Sequence, residues 1–308
     1  MARTDDVSSR YLRKQRTVKK ENLTRANTIQ KFKTYIVSIL DAVYKAAAKT
    51  SVLDGAPELA REGANADELV IPKIEMDGLA DYDRASGYKA GDVSLTNETV
   101  KCNFDRGRMF TVDNVDNMDT AGVVISRLGS EFIRTKVTPE LDAFRIATYA
   151  GIEGADITAA TYTTGEEVLK AIAAKSDAMT DAEVPEEDRH LFITSTLLGL
   201  IRDLDTTKSK AVLDSFASIQ KMPQSRFYSA ITQGDNGYTK AADGHAMNFM
   251  IIHKPAVIQY AKHVKPKVVD PDTNQDADAW KYGYRNVSIA DAYENKAAGI
   301  AGTYDNAN

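Results

Sequence analysis

Between Asp119 and Gly151 apolar residues recur mostly at three- and four-residue spacing: Val124, Leu128 and Phe132, then Val137, Leu141, Phe144 and Ala147. Arg127, Glu131, Arg134 and Glu140 fall off that stripe, so the pattern predicts one long helix that packs by a single face. Thr120, or Asp119 before it, can cap the first free N–H groups, and Gly151 can supply a left-handed residue to end the helix. Pro139 removes a ladder hydrogen bond and crowds the preceding turn, which predicts a bend or restart near Lys136–Pro139. At about 1.5 Å per residue the element spans roughly 45 Å, the width of a domain.

On the N-terminal side, Ile29, Phe32, Ile36, Leu40, Val43, Tyr44 and Ala47 have helical period, which predicts an amphipathic helix over Thr28–Ala48 with Asn27 or Thr28 as its cap. Asp54–Asp67, rich in Ala, Gly and acids, reads as a linker. Short extended runs follow at Leu69–Met76, Val93–Leu95, Val100–Phe104 and Met109–Val112, separated by polar, Gly-containing turns. Asp81–Asp92 carries two glycines and no apolar anchor, so this region reads as a long two-stranded loop with its tip near Ser86–Gly91. An isolated hairpin of that kind is marginal in water, which implies a surface for it to lie on.

Beyond the long helix, Thr164–Met179 reads as a capped helix and Pro185 opens a polar turn. His190–Thr194 reads as a buried strand leading into a helix at Ser195–Leu204. Met247–His253 is a second apolar strand, with a helix expected from Pro255 to His263. Pro266–Ala279 reads as a loop, and Trp280–Gly302 as aromatic, extended chain. Strands alternating with helices make this region α/β or α+β.

Composition sharpens the picture. A chain of 308 residues, 43% of them hydrophobic, can bury one large core or two modest ones. Its single cysteine, Cys102, rules out an intramolecular disulfide framework and fits a reducing compartment; placed in the strand Val100–Phe104, it is expected to serve packing alone. No apolar run approaches the ~18 residues that span a bilayer, and the N-terminus lacks a signal-peptide core, so a soluble protein with no membrane partner is expected. Residues 1–25 hold eight Lys or Arg against three acids, a balance of +5 within a net charge of −5, which leaves −10 on the rest. This arm reads as a solvated tail, a polyanion contact or an arm that docks on another subunit.

Chemistry was sought and not found. Asp270, Asp272, Asn274 and Asp276 mimic the start of a calcium loop, but Gln275 replaces the required glycine and Lys281 the bidentate glutamate. His245, His253 and His263 have no metal-ligand spacing. The acids Asp181, Glu183, Glu186, Glu187 and Asp188 read as a solvated turn rather than a hydrolytic pair. No cofactor-binding or nucleophile motif is present, so no catalytic, cofactor or metal residues are expected.

Five blocks carry a family resemblance: IPKIEMDGLADYDR from Ile71, FDRGRMFTVDNVDN from Phe104, EFIRTKVTPELDAFRIA from Glu131, MNFMIIHKPAVIQYAKHVKPKVVDPDTNQDADAWKYGYR from Met247, and DAYENKAAGI from Asp291. Together, over about residues 70–300, they resemble the major capsid proteins of tailed phages of Gram-positive bacteria. The resemblance implies the α+β capsid fold shared by tailed phages and herpesviruses, the Hong Kong ninety-seven fold. It allots 1–68 to a basic arm and N-arm helix, 69–112 to an extended loop with flanking strands, and 113–151 to a peripheral domain with its spine helix. Residues 152–265 become an axial domain and 266–308 the return to the peripheral domain. It implies self-assembly through pentamers and hexamers into an icosahedral virion shell around double-stranded DNA, put together in the host cytoplasm. Scaffolding is expected to be a separate protein or absent, because no roughly hundred-residue scaffolding segment fits at the start; a portal and decoration proteins are further implied partners. Inter-subunit contacts are expected at Arg84, Tyr88 and Lys89 of the loop and at Arg10, Arg13, Lys14 and Arg16 of the arm. An encapsulin shell around a cargo enzyme is the alternative on the same fold.

Overall fold

The long helix forms, and Pro139 decides its shape. In the computed structural model the chain is helical through α1 (Val123–Phe132), a π-helical turn (Ile133–Val137) and α2 (Thr138–Ala150). Pro139 has no N–H to give to Thr135, so the ladder widens just ahead of it and restarts with proline in the first turn of α2. The Thr135 hydroxyl donates to Glu131 O at 2.6 Å within the same stretch. Gly151 corrects the expectation of a left-handed cap: at φ −90° and ψ 0° it is right-handed, and its N–H reaches Ala147 O and Thr148 O at 3.1 Å. The structure describes residues 48–55, 61–62, 68–82, 84, 87–114, 123–204 and 206–306. The expected caps at Asp119 and Thr120, and all but the last residue of the Thr28–Ala48 helix, lie outside them.

The chain divides into two compact units. One holds Arg108–Thr135 and Lys265–Tyr284 among its described parts; the other holds Ala48–Gly107, Lys136–Val264 and Arg285–Asn308. The division passes within β4 (Phe104–Asp113), β11 (Val257–Val269) and β12 (Ala279–Ala292), which form a three-stranded sheet in the order β11-β12-β4.

In the larger unit the core is a five-stranded sheet in the order β5-β13-β10-β6-β7, built from β5 (Asp156–Ala159), β6 (Arg189–Thr194), β7 (Ser218–Met222), β10 (Ala246–His253) and β13 (Ile300–Asp305). The apolar runs HLFIT and MNFMIIH become its central antiparallel pair, Ile251 opposite Leu191 and Met250 opposite Phe192. Both are buried on two faces, which is why they read as continuous rather than alternating. On one face Phe192, Met250 and Ile252 pack with Ile146 and Tyr149 of α2. On the other, Leu191, Ile193 and Ile251 pack under α3 (Gly165–Asp181) and α4 (Ser195–Asp203), through Val168, Ile172 and Ile201. α3 is capped as expected, with Thr164 and Glu167 forming a capping box. A Cβ at Gly302 would lie 2.6 Å from Phe249 O, where β10 bulges between Met247 and Phe249, so this position of β13 admits glycine alone.

A buried polar clasp joins the start of the described chain to α2. Asp142 accepts from Lys49 N, Thr50 N and the Thr50 hydroxyl at 3.1, 3.1 and 2.7 Å, and pairs with Arg226 at 3.3 Å. One turn on, Arg145 donates to the Thr50 hydroxyl at 3.0 Å and pairs with Asp54 at 3.2 Å. Gln259 donates to Thr50 O and Asp54 Oδ1 and accepts from the Tyr149 hydroxyl, whose pKa burial drives upward. Asp142, Arg145 and Tyr149 share one helix face by their spacing of three and four.

In the smaller unit Phe132 of α1 stacks edge-on against Phe110 and Tyr284, at ring separations of 4.8 and 6.1 Å. Asp270 caps a 3₁₀ turn at Pro271–Thr273 through Thr273 N, Asn274 holds Ala279 O, and Asp276 pairs with Lys281. Oxygens of Asp270, Asn274 and Asp276, three of the four residues that mimicked a calcium loop, thus have protein partners.

Several expectations are corrected. Pro255–His263 is not a helix: Pro255 opens only a 3₁₀ turn (Lys254–Ala256), and β11 then runs through Pro266 to Val269. As an edge strand β11 tolerates the missing N–H of Pro266, which shortens the expected Pro266–Ala279 loop. Val93–Lys101 is one continuous strand, β3, and Cys102 lies in the turn after it, half-buried against the cluster of Leu69, Ile71, Val100, Ile258 and Ile289. The linker carries a short strand, β1 (Arg61–Glu62), on β2 (Glu68–Met76).

The clasp yields a stability prediction. Arg145→Met removes the partner of Asp54 and the donor to the buried Thr50 hydroxyl, and is expected to cost about 3–5 kcal/mol in urea unfolding. A loss below about 1 kcal/mol would show that the network contributes little.

Candidate assembly interface

β2 and β3 (Val93–Lys101) pair antiparallel over their whole length, from Glu68 opposite Lys101 to Met76 opposite Val93. Asp77 and Asp92 close the ladder: Asp77 N donates to Asp92 O at 3.1 Å, and Asp92 N donates to Asp77 Oδ2 at 2.8 Å. The chain beyond is an open loop, where Tyr82 and Tyr88 meet edge-to-face at 4.9 Å and Gly87 takes φ 82°.

Alternation gives this ribbon two faces, and the apolar residues change face along it. Near its base the odd-numbered Leu69 and Ile71 are buried with Val100 in the subunit's own cluster. Farther out, Ile74 faces Leu95 and Met76 faces Val93 on the opposite side, all four more than half exposed, Ile74 at 55% and Leu95 at 66%. The loop adds Leu79, Tyr82 and Tyr88, the last 91% exposed. Seven of the eight large apolar side chains exposed among the described residues therefore lie on this one ribbon and its loop. Monomers rarely leave such a set uncovered. Burying even half of it contributes on the order of 5–10 kcal/mol per copy before ordering costs.

Of the residues expected from sequence to make contacts, Arg84, Tyr88 and Lys89 all stand exposed on this loop. Arg10, Arg13, Lys14 and Arg16 lie outside the described residues. Sequence reading missed Ile74, Met76, Leu79, Val93 and Leu95; the alternation of apolar and polar residues in IPKIEM and VSLTN was visible, but it assigned no face to a partner.

Other polar clusters have internal partners. Arg106 pairs with Glu140 at 2.8 Å and donates to Gly234 O at 2.6 Å, at the end of the hairpin of β8 (Ile231–Gly234) and β9 (Gly237–Lys240). Arg285 grips Asp105 with two hydrogen bonds and holds its carboxyl below the usual range. Among the described residues no group of three His, Cys, Asp or Glu side chains is placed to hold a metal ion, and no helix is long and apolar enough to cross a membrane.

No family model matches the chain, and no curated protein matches it in sequence. Its fold is that of capsid structures. The capsid of cyanophage P-SCSP1u superimposes with a TM-score of 0.53 at 13% identity, over 80% of this chain and 85% of that one. The mature capsid of bacteriophage PhiM1 gives 0.55 at 10% identity, over 79% and 83%. A virus-like particle from Pyrococcus furiosus gives 0.56 at 11% identity, over 89% and 99%. At such identities the likeness is one of fold.

If the exposed ribbon serves other copies rather than its own core, Ile74→Ser with Leu95→Ser should move the unfolding free energy of the unassembled chain by no more than about 0.5 kcal/mol. The same pair should reduce binding of a hydrophobic dye. A drop of several degrees in melting temperature would place these side chains in the subunit's own core.

Proposed function

We propose, from the premise that the chain has the Hong Kong ninety-seven-type capsid fold, that it is the major capsid protein of a tailed phage. Its copies assemble through pentamers and hexamers into an icosahedral shell around double-stranded DNA. The observation that carries this reading is the β2–β3 ribbon: a paired, well-closed element whose outer apolar side chains have no cover within the described subunit. In this reading residues 69–112 are the extended loop and its flanking strands, α1 and α2 are the spine of the peripheral domain, and 152–265 form the axial domain. The role is structural rather than enzymatic. A separate scaffolding protein, a portal and decoration proteins are the partners that such a shell takes, with assembly in the host cytoplasm and residence in the virion.

Deleting Arg84–Gly91 is expected to leave a folded subunit that no longer forms closed shells in electron micrographs, whereas the intact chain does. Normal particles from the deletion would remove the ribbon from the interface. Shells that form but hold a protein cargo and no DNA would favour an encapsulin-type container.

The basic arm is assigned to docking on a neighbouring subunit's acids, since a body of −10 meets an arm of +5. Neutralising Arg10, Arg13, Lys14 and Arg16 together should lower assembly yield without DNA, and by less at high salt, where the wild-type contact is already screened. If that variant assembles normally and loses only retention of packaged DNA, the arm is a phosphate contact instead.

A further inference from the structure

At one end of the five-stranded sheet, where β6 begins and β10 ends, two histidines are buried side by side on adjacent strands. His190 and His253 are each 8% exposed. In the register Ile252 faces His190 and His253 faces Arg189, so the two imidazoles sit on opposite faces of the same sheet end. His190 Nδ1 is 2.7 Å from the hydroxyl of Ser218 on β7, the edge strand, while its Nε2 is buried without a hydrogen-bond partner.

The surroundings are cationic. Arg189 is 1% exposed and satisfied by neutral groups: Pro185 O, Val184 O, Ser176 O and Oγ, and Thr180 Oγ1, all within 2.5–3.0 Å. Glu186 and Asp177 act on it only from a distance. The charge of Lys254, on the 3₁₀ turn after β10, acts on His190, and those of Arg189 and of Lys296, on the 3₁₀ turn at Glu294–Gly299, act on His253. The carboxylate of Asp188 opposes them at both imidazoles. Arg189 also fixes the acidic turn between α3 and β6, where Glu183 and Asp188 both take positive φ, at 62° and 56°.

We infer that His190 and His253 form a proton-operated latch on the α3–β6 turn, closed while both rings are neutral and opened when acid charges them. Burial comes first and neighbouring cations second in holding both imidazoles below their ordinary pKa of about 6.5. Because the closed state binds these protons less readily than the open one, its stability is full above about pH 6.5 and is lost as pH falls below it. Each proton adds a charge beside Arg189, Lys254 and Lys296, and on His190 an N–H with no acceptor. The release is local: the turn carrying Glu183, Glu186 and Glu187 comes free. This inference stands apart from the shell reading.

Digestion of the full-length chain by a Glu-specific protease at pH 7.5 and 5.5 tests it, with cleavage at exposed Glu153 as the internal reference for protease activity. Cleavage after Glu183, Glu186 and Glu187, relative to Glu153, is expected to rise several-fold in acid. In the variant carrying His190→Gln and His253→Gln, which keeps hydrogen-bonding amides and cannot be charged, the rise should vanish. A wild-type ratio independent of pH overturns the latch whether or not the variant folds, as does a rise that persists in His253→Gln and in the double variant.

Discussion

A carboxylate and a guanidinium taken out of water on the same helix face stabilise a fold only if partners offset their lost hydration, and Asp142 and Arg145 find such partners in groups from far along the chain. Lys49, Thr50, Asp54, Arg226 and Gln259 converge on them. The segment 48–55 is therefore required in place: without it two buried charges would lose their partners at a cost of several kcal/mol. The clasp ties residues 48–55, α2 and β11 into one arrangement, and Leu53 carries the tie into the apolar core beside Tyr149 and Ile146.

That stringency inside the larger unit makes the outer half of the β2–β3 ribbon conspicuous. Where the unit buries Arg189 it provides five acceptors, yet Ile74, Met76, Val93 and Leu95 face outward on a strand pair whose register is unbroken from end to end. A ribbon so well made is not an unfinished edge. Its apolar switch from the odd face at Leu69 and Ile71 to the even face at Ile74 and Met76 gives one side to the subunit and the other to whatever lies against it. The capsid fold supplies a reason for such a division, since a shell subunit completes its burial only among its copies.

Much of this was legible in the chain. HLFIT and MNFMIIH are apolar on both parities and became the central strands; Thr164 announced a capped helix; Pro139 marked the break in the long helix. What could not be read depends on distant partners. AVIQYAKHV spaces Ala256, Val257, Tyr260, Ala261 and Val264 as a helix would, yet it forms β11 because β12 offers it an edge and Gln259 reaches the clasp. Asp142 and Arg145 carried no signal of their own, because their partners lie about ninety residues earlier and, for Arg226, 84 residues later. Alternation in IPKIEM declared a face, and nothing local states whether a face belongs to one chain or two.

Hydrogen exchange of residues 74–95, compared between dissociated subunits and assembled particles of the same preparation, addresses the central claim most directly. The ribbon should exchange readily in the free subunit and become protected at least tenfold on assembly, while β6 and β10 are protected in both states. A ribbon equally protected in free subunits, or equally labile in particles, would contradict the account.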